Sequence, residues 1–561
     1  MKRYLTILLT VFAVLSCSLD EQLTGDTPRE DFYRNAVECE SGLNACYNLL
    51  RTQLSNSGLW AATECTTDLM YMNISSNYNA TLNISPSRPA IGTTIWKYSY
   101  MGVMRSNEMI HAIDQANEKG NITDDKALEL TAEAIVLRAF FYYLLTSTFG
   151  DVPFYTEPVT EDNMDAIARL PRMSADATRD YLIDELMDYL LPQSMDGREA
   201  LPLKRTYDTP VTNRLNAATG LMLAGKFCLW NERWADAITV LEVLEDIYGH
   251  YAGTADNAFG TAYPLTDIPF GKKMAKESIL ELENSFEPYG VQLTGLLATY
   301  ATPKKTNSKV QGENEDEEYL ITDVYDGIAI PELGDNSRIS TSARPTKYYY
   351  QTVLSYDSQD LRSGEYSNDA EYARGGSGNL AWRWSGYGTD DVERPDGGRS
   401  VRWFSSCGKS INRPWLGNKF WCENMYYNMD SNNYKFFRFA DALLMLAEAH
   451  LMNGDMLEAS HYLNITRTRA GLPAFTPEQI GSDKDIMMEE IRLERARELF
   501  GEFQRKFDLV RWGIWYERTT QYNDGTYIND YIRPYHEYLP IPQEQITYSH
   551  GALDNKAYGE N

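Results

Sequence analysis

Seven cysteines occur in this 561-residue chain, and no two form a CxxC pair. Cys39, Cys46, Cys65, Cys228, Cys407 and Cys422 lack the spacing of a zinc site or a disulfide framework. They read as buried small hydrophobes with at most one incidental disulfide. Histidine is scarce: His111, His250, His450, His461, His536 and His550 contain no HExxH arrangement, which removes the commonest zinc-hydrolase signature. No G-x-S-x-G elbow is present. Gly408-Lys409-Ser410 ends like a phosphate loop, but Trp403 stands where the first glycine belongs. No EF-hand-like loop appears. The expectation is therefore no cofactor and no catalysis. A carboxylate pair at glycosidase spacing carries no weight, because 80 acidic residues produce one by chance. Positive charge is in deficit: 52 basic residues leave a formal charge of −28. Such a surface repels phosphate backbones and anionic lipid, so nucleic acid is excluded as a partner.

At 43% hydrophobic, the chain has ample material for a large core. Lys2-Arg3 precede an apolar run, Leu5 to Leu15, then Ser16-Cys17. The run is too short to span a bilayer and reads as a signal peptide over residues 1–16.

Two stretches read as helical hairpins. From Phe436 to Gly471, Phe439, Ala442, Leu443, Leu446, Ala447 and Leu451 share one helical face. Asn453-Gly454 ends that helix, and Asp455 with Glu458 three residues on can cap the next. The small residues Ala447 and Ala459 let the two backbones approach. Asn213 to Tyr248 resembles this pair and repeats Leu-Met-Leu-Ala at 221–224 against 444–447, which points to a repeat of tetratricopeptide-like units.

Further helices are expected over Ala36 to Leu50, Trp96 to Ile113, Asp124 to Phe149, Ser174 to Leu190, Lys484 to Phe500 and Phe507 to Trp515. Arg492, Glu494, Arg495, Arg497 and Glu498 suggest buried or interfacial ion pairs. Residues 55–92 and 250–435 are rich in Ser, Asn, Gly, Tyr and Trp and read as loops and short strands. Glu313 to Glu318 reads as a solvated surface loop.

Sugar rings present flat C–H faces that pack on aromatic rings, and their hydroxyls need Asn, Asp or Arg partners. Two loops carry that mixture. One runs from Leu69 to Asn79, with Tyr71, Asn73, Tyr78 and Asn79. The other runs from Gly378 to Phe404, with Trp382, Arg383, Trp384, Tyr387, Arg402 and Trp403. The alternative is that these rings pack the loops' own small cores or meet a partner protein. Trp415, Trp421 and Trp512 lie near structural motifs and read as core. From Arg374 to Arg413 seven basic residues outnumber four acidic ones, a local excess that suits an anionic glycan or loop ion pairs.

Five motifs carry a family resemblance. Ala134–Pro153 (AIVLRAFFYYLLTSTFGDVP), Arg438–Ala449 (RFADALLMLAEA), Asn464–Gly471 (NITRTRAG), Glu494–Gly513 (ERARELFGEFQRKFDLVRWG) and the closing Leu539–Pro542 occur in order. Together they resemble the SusD/RagB family of Bacteroidetes outer-membrane lipoproteins. Glu502-Phe503-Gln504 departs from the family's usual Glu-Gly. Val14-Leu15-Ser16-Cys17 resembles a lipobox, which implies cleavage before Cys17 and lipidation of its thiol. Ser18 to Glu21 resembles an acidic surface-export tag.

The resemblance implies a mainly α fold. Its superhelix of tetratricopeptide-like helical pairs would carry a large loop-rich, mixed variable region. It implies one domain over 17–561, with scaffold at about 30–250 and 436–515 and ligand-facing loops at about 55–92 and 250–435. It implies a lipid-anchored outer-membrane protein at the cell surface that captures an oligosaccharide. The captured ligand would pass to a SusC-like TonB-dependent barrel. A peptide ligand, or a lid with no ligand affinity of its own, remains the alternative. The shared motifs are structural and place no binding residue.

Overall fold

The computed structural model describes residues 33–195, 197–205, 214–254, 257–287, 292–301, 342–354, 359–363, 415–422 and 428–556, with short stretches between 310 and 425. The signal peptide, Cys17, Cys407 and most of the 313–318 run lie outside the described residues.

The principal helices are α1 (Ala36–Leu54), α2 (Ser57–Thr63), α3 (Tyr78–Thr81), α4 (Ile91–Glu118), α5 (Asp124–Phe149), α6 (Ala175–Leu190), α7 (Ala217–Trp230), α8 (Trp234–Tyr248), α9 (Phe439–Met452), α10 (Met456–Arg469), α11 (Lys484–Glu498), α12 (Arg505–Arg511), α13 (Trp515–Tyr522) and α14 (Ile528–Tyr531). Neighbours pack in succession: α1 on α4, α4 on α5, α6 on α7, α7 on α8, α8 on α9, and α9 on α10 and α11. This is the tetratricopeptide-like superhelix. The loop-rich region contributes β1 (Met70–Met72), β2 (Ser278–Leu282), β3 (Ala343–Pro345) and β4 (Tyr434–Arg438), paired antiparallel as β1–β3 and β2–β4.

Local chemistry explains the hairpins. Gly454 turns the chain at φ +95°, a conformation glycine adopts without a Cβ clash. The Asp455 carboxylate then accepts from the Glu458 N–H at 3.1 Å and caps α10. In the α7/α8 pair, a Cβ at Gly225 would sit 2.6 Å from the Leu241 side chain, so glycine is what brings the two helices together.

From Leu130 onward α5 is almost wholly buried, with the charges of Glu133 and Arg138 paired, which makes it the centre of the scaffold rather than a surface helix. It meets α4 at Gly102, where an added Cβ would lie 2.3 Å from the Phe141 ring. Gly102→Ala is accordingly expected to destabilise the fold by about 1–3 kcal/mol through overpacking, read from the urea midpoint.

The ion pairs suggested by the α11 sequence are present and mostly buried, though Arg492 pairs with Glu489 at 3.5 Å where both are partly exposed. Glu498 meets Arg362 at 3.0 Å, Arg438 at 3.0 Å and also Arg469. Arg438 also reaches Glu277 at 2.8 Å and Glu502 at 2.7 Å, and Lys419 reaches Glu502 at 2.7 Å. Arg362 holds Asp360 at 2.7 Å and Glu494 at 2.8 Å. Burial alone would raise the Glu498 carboxyl, but Arg469, Arg438 and Arg362 outweigh it and hold it far below the usual range. The network ties Asp360, Arg362 and Lys419 of the loop-rich region to α11 and to Glu502 just beyond it.

Two expectations need correction. Residues 57–63 are not loop: Ser57–Thr63 forms α2, capped by Asn56 and buried from Gly58 onward, because Leu59, Trp60 and Ala61 face the core. The helix expected over 507–515 is broken, since α12 ends at Arg511, Gly513 turns at φ +68° and α13 restarts at Trp515. Cys39, Cys46, Cys65 and Cys228 are free and buried, and Cys422 is buried. Trp421 is buried as expected, but Trp512 is only partly so.

Lys506 in α12 is buried, and its Nζ donates to the His536 carbonyl at 2.8 Å. Burial pushes its pKa down to about 7, against the pull of Glu537. Because the folded pKa lies below the unfolded one, the folded state carries the full charging penalty below about pH 7. That penalty is relieved as pH rises toward about 10. Lys506→Met is expected to raise stability by about 1–3 kcal/mol at about pH 6 and to gain progressively less by about pH 10. Denaturation at the two pH values checks it.

Candidate functional site

The loop expected to meet a ligand leaves β1 and returns into α4. Asn73 N–H donates to Ser342 O at 2.8 Å, extending the β1–β3 ribbon by one rung. The Asn77 side chain then accepts from Ala80 N–H and caps α3, and the Asn79 side chain accepts from Ile91 N–H at 2.8 Å. Leu82 at φ +57° and Ala90 at φ +52° bracket the Asn83–Pro89 turn in the left-handed region. Such strain persists only where surroundings fix it, and Leu82 is buried.

This turn aims Arg88 over Tyr78. The guanidinium lies 4.6 Å from the ring centroid. Its Nε donates to Asn83 O at 3.0 Å and its Nη2 to the Asn83 side chain. Nη1 keeps no partner among the described residues. A held guanidinium with one open edge, beside a ring that is 38% exposed, can bind hydroxyl or carboxylate oxygens while the tyrosine meets an apolar face.

The sequence-predicted residues divide three ways. Tyr78 and Asn73 are exposed on this loop. Tyr71 is buried at 4% exposure, with Gly525 close enough that a Cβ there would sit 2.8 Å from the Tyr71 Cβ. Its ring therefore supports the ribbon and is not offered to solvent. Trp382, Arg383, Trp384, Tyr387, Arg402 and Trp403 lie outside the described residues.

Sequence reasoning missed the other half of this face. The short helix α14 packs on α3 and carries Tyr531, which is 40% exposed. Asn523 locks the segment to β1 by donating to Thr67 O at 2.7 Å and Met70 O at 3.0 Å. The available signal was the density of tyrosines at 522, 527, 531, 535 and 538, interleaved with Asn, Asp and Arg.

Not every ring there is available. Tyr348 and Tyr522 stack at 3.9 Å, and Arg518 donates to the Tyr348 hydroxyl at 3.0 Å. Burial pushes Tyr348 up to about 12. His536 is pushed down to about 3 by burial and by Lys506 and Arg533, so it is neutral at physiological pH. Its Nδ1 is occupied, accepting from Arg533 N–H at 3.2 Å. Among the described residues, this face offers rings, amides and guanidinium edges. No group of three His, Cys, Asp or Glu there could hold a metal.

Two family models match the chain: "SusD family" over residues 300–558 and "Starch-binding associating with outer membrane" over 25–216. The chain belongs to the SusD/RagB family. A SusD-like protein of Formosa agariphila is 23% identical to it, covering 98% of both chains. Among solved structures, surface glycan-binding protein A from Bacteroides uniformis matches with TM-score 0.62 and 21% identity, over 93% of this chain and 99% of that one. A laminarin binding SusD-like protein matches with TM-score 0.61 and 18% identity, over 92% and 98%. A SusD homologue from Bacteroides thetaiotaomicron matches with TM-score 0.66 and 20% identity, over 94% and 98%. These likenesses show the fold. In this SusD-type chain, the motif residues Arg438, Glu494, Arg495, Glu498 and Asp508 are buried ion partners. At the departure from the family pattern, Phe503 stacks on Phe436 at 4.3 Å and Gln504 donates to Phe436 O at 3.0 Å.

Proposed function

We propose that this chain is a lipid-anchored, cell-surface glycan-binding protein of the outer membrane. It captures an oligosaccharide without chemistry and delivers it to a SusC-like TonB-dependent barrel. One SusD-like domain from residue 17 onward does the binding, with Cys17 carrying the lipid. The observation that carries this reading is the exposed pairing of Arg88 with Tyr78, beside Tyr531 and Asn73, on a member of the SusD/RagB family. Matched relatives named for binding glycan and laminarin support it. Trp382, Arg383, Trp384, Tyr387, Arg402 and Trp403 supply further rings and donors to the same ligand, and Tyr71 holds the ribbon beneath it.

Localisation tests the anchoring and delivery parts. The full chain, expressed in its native host, is expected at the cell surface and to co-purify with a TonB-dependent barrel. Cys17→Ala is expected to release it from the membrane fraction. Membrane retention of Cys17→Ala contradicts the anchor, and purification free of any barrel contradicts delivery.

A further inference from the structure

A cleft of about 470 Å³ opens between the C-terminal half of α4, the N-terminal half of α5, the Thr156–Pro158 loop and Tyr189 of α6. Its position separates it from the loop site. That site abuts the first residues of α4, and the cleft begins at Asn107 and reaches Asn117. At 1.5 Å per residue the two are about 25–40 Å apart along one helix.

The volume is that of a small-molecule site, roughly 300–1,000 Å³, and exceeds the needs of one docked side chain. Depth sorts the lining. Asn107 is buried at the bottom and rigidly oriented. Its amide donates to Tyr155 O at 3.2 Å and Glu157 O at 3.3 Å, while its carbonyl accepts from Arg138 at 2.7 Å. Around it stand the hydroxyls of Thr131, Thr156 and Tyr189, half-buried and without a hydrogen-bond partner among the described residues. Ile110 and Leu128 give an apolar wall. Asp114 and Asp124 are confined to the exposed rim, where water screens them.

No lysine or arginine lines the cleft among the described residues, and His111 stands only at its exposed rim, so an anionic ligand finds no buried counter-charge. A cation would find its carboxylates only at the screened rim. Unpaired hydroxyls beside an apolar wall and an aromatic ring suit a ligand with both hydroxyls and C–H faces.

We propose that this cleft is a second saccharide site, on the helical scaffold, that takes a short neutral saccharide. It would give the protein two points of purchase on a glycan, or on glycan and product, at opposite ends of α4. The cleft would bind saccharide whether or not the loop site does.

The test titrates the full mature chain with maltose, cellobiose, laminaribiose and xylobiose by calorimetry and saturation-transfer NMR. Galacturonic acid and argininamide serve as charged probes. The chain is compared with Tyr189→Ala, with the near-isosteric Thr131→Val, and with a Tyr78→Ala/Tyr531→Ala variant. Thermal melts establish that each variant folds. The expected result is saturable binding of at least one neutral disaccharide, weakened tenfold or more by Tyr189→Ala and clearly by Thr131→Val, and retained in the loop variant. Three outcomes overturn the proposal. One is no neutral disaccharide bound, and another is binding that both cleft variants leave unchanged. The third is preferential uptake of argininamide or galacturonic acid that Tyr189→Ala abolishes. Within the second outcome, binding lost only in the loop variant leaves the loop reading intact.

Discussion

Glutamine in place of Glu498 is expected to lower the unfolding free energy by about 3–5 kcal/mol, although it keeps the size of the side chain. Three guanidiniums converge on that carboxylate, and Arg362, Arg438 and Arg469 are all fully buried. Removing one charge from a buried, hydrogen-bonded network strands its partners without solvent to compensate them. The contrast is Glu489, 38% exposed where it pairs with Arg518. Glu489→Gln is expected to cost under about 1 kcal/mol.

The pH dependence follows from the signs. A carboxyl depressed in the folded state contributes stability above its unfolded pKa of about 4, lost as pH falls through the folded value. Asp508 belongs to the same class: burial would raise it, but Arg495 and Arg511 hold it down to about 2. The wild-type chain is therefore expected to keep these contributions down to about pH 4 and lose them toward about pH 2. The Glu498→Gln deficit should be undiminished at about pH 5. Urea midpoints at constant slope read both effects. A deficit under about 1 kcal/mol would mean the network is not what fastens the loop-rich region to α11.

The second large effect concerns binding. Tyr78→Ala/Tyr531→Ala is expected to cost about 2–3 kcal/mol of ligand affinity, roughly 30- to 150-fold, as two ring contacts are removed. Both rings are substantially exposed, at 38% and 40%, so stability is expected to change by no more than about 0.5 kcal/mol. Arg88→Ala should weaken binding separately, because it removes the donor edge and the group that holds Tyr78. Trp382→Ala/Trp384→Ala is the matching test of the other loop. If that variant loses affinity while the tyrosine variant keeps it, ligand contact lies in the 378–404 loop. Calorimetry with the captured glycan separates the two.

The scaffold was legible in the sequence because helical packing writes itself as periodicity. Leu443, Leu446 and Ala447 recur at helical steps, and Gly454 and Asp455 mark the turn between α9 and α10. The α11 ion network was legible in part, since the cluster of Arg and Glu over 492–498 suggested buried or interfacial pairs, but the partners Asp360, Arg362 and Glu277 lie too far along the chain to be read. The binding face was legible only in part. Tyr78 and Asn73 were found by residue type, but the same criterion chose Tyr71, whose ring the β1–β3 ribbon turns inward. A three-residue strand carries too little alternation to show which side a ring faces. Arg88, ten residues after Tyr78, escaped because its placement depends on the Asn83–Pro89 turn, and Tyr531 escaped for another reason. A site assembled from segments more than four hundred residues apart leaves no local spacing to read. The cleft below the α4–α5 turn left no motif at all, being made of ordinary helical residues that share a face.

The most direct test of the central claim, capture of a glycan without chemistry, is calorimetric titration of residues 18–561 with neutral glycans, acidic glycans and peptides. The ligands are recovered and sized after prolonged incubation. The account predicts saturable binding of one glycan class, with the recovered chains unchanged in length. Peptides bound in preference, no ligand bound at all, or glycan recovered shortened would contradict it.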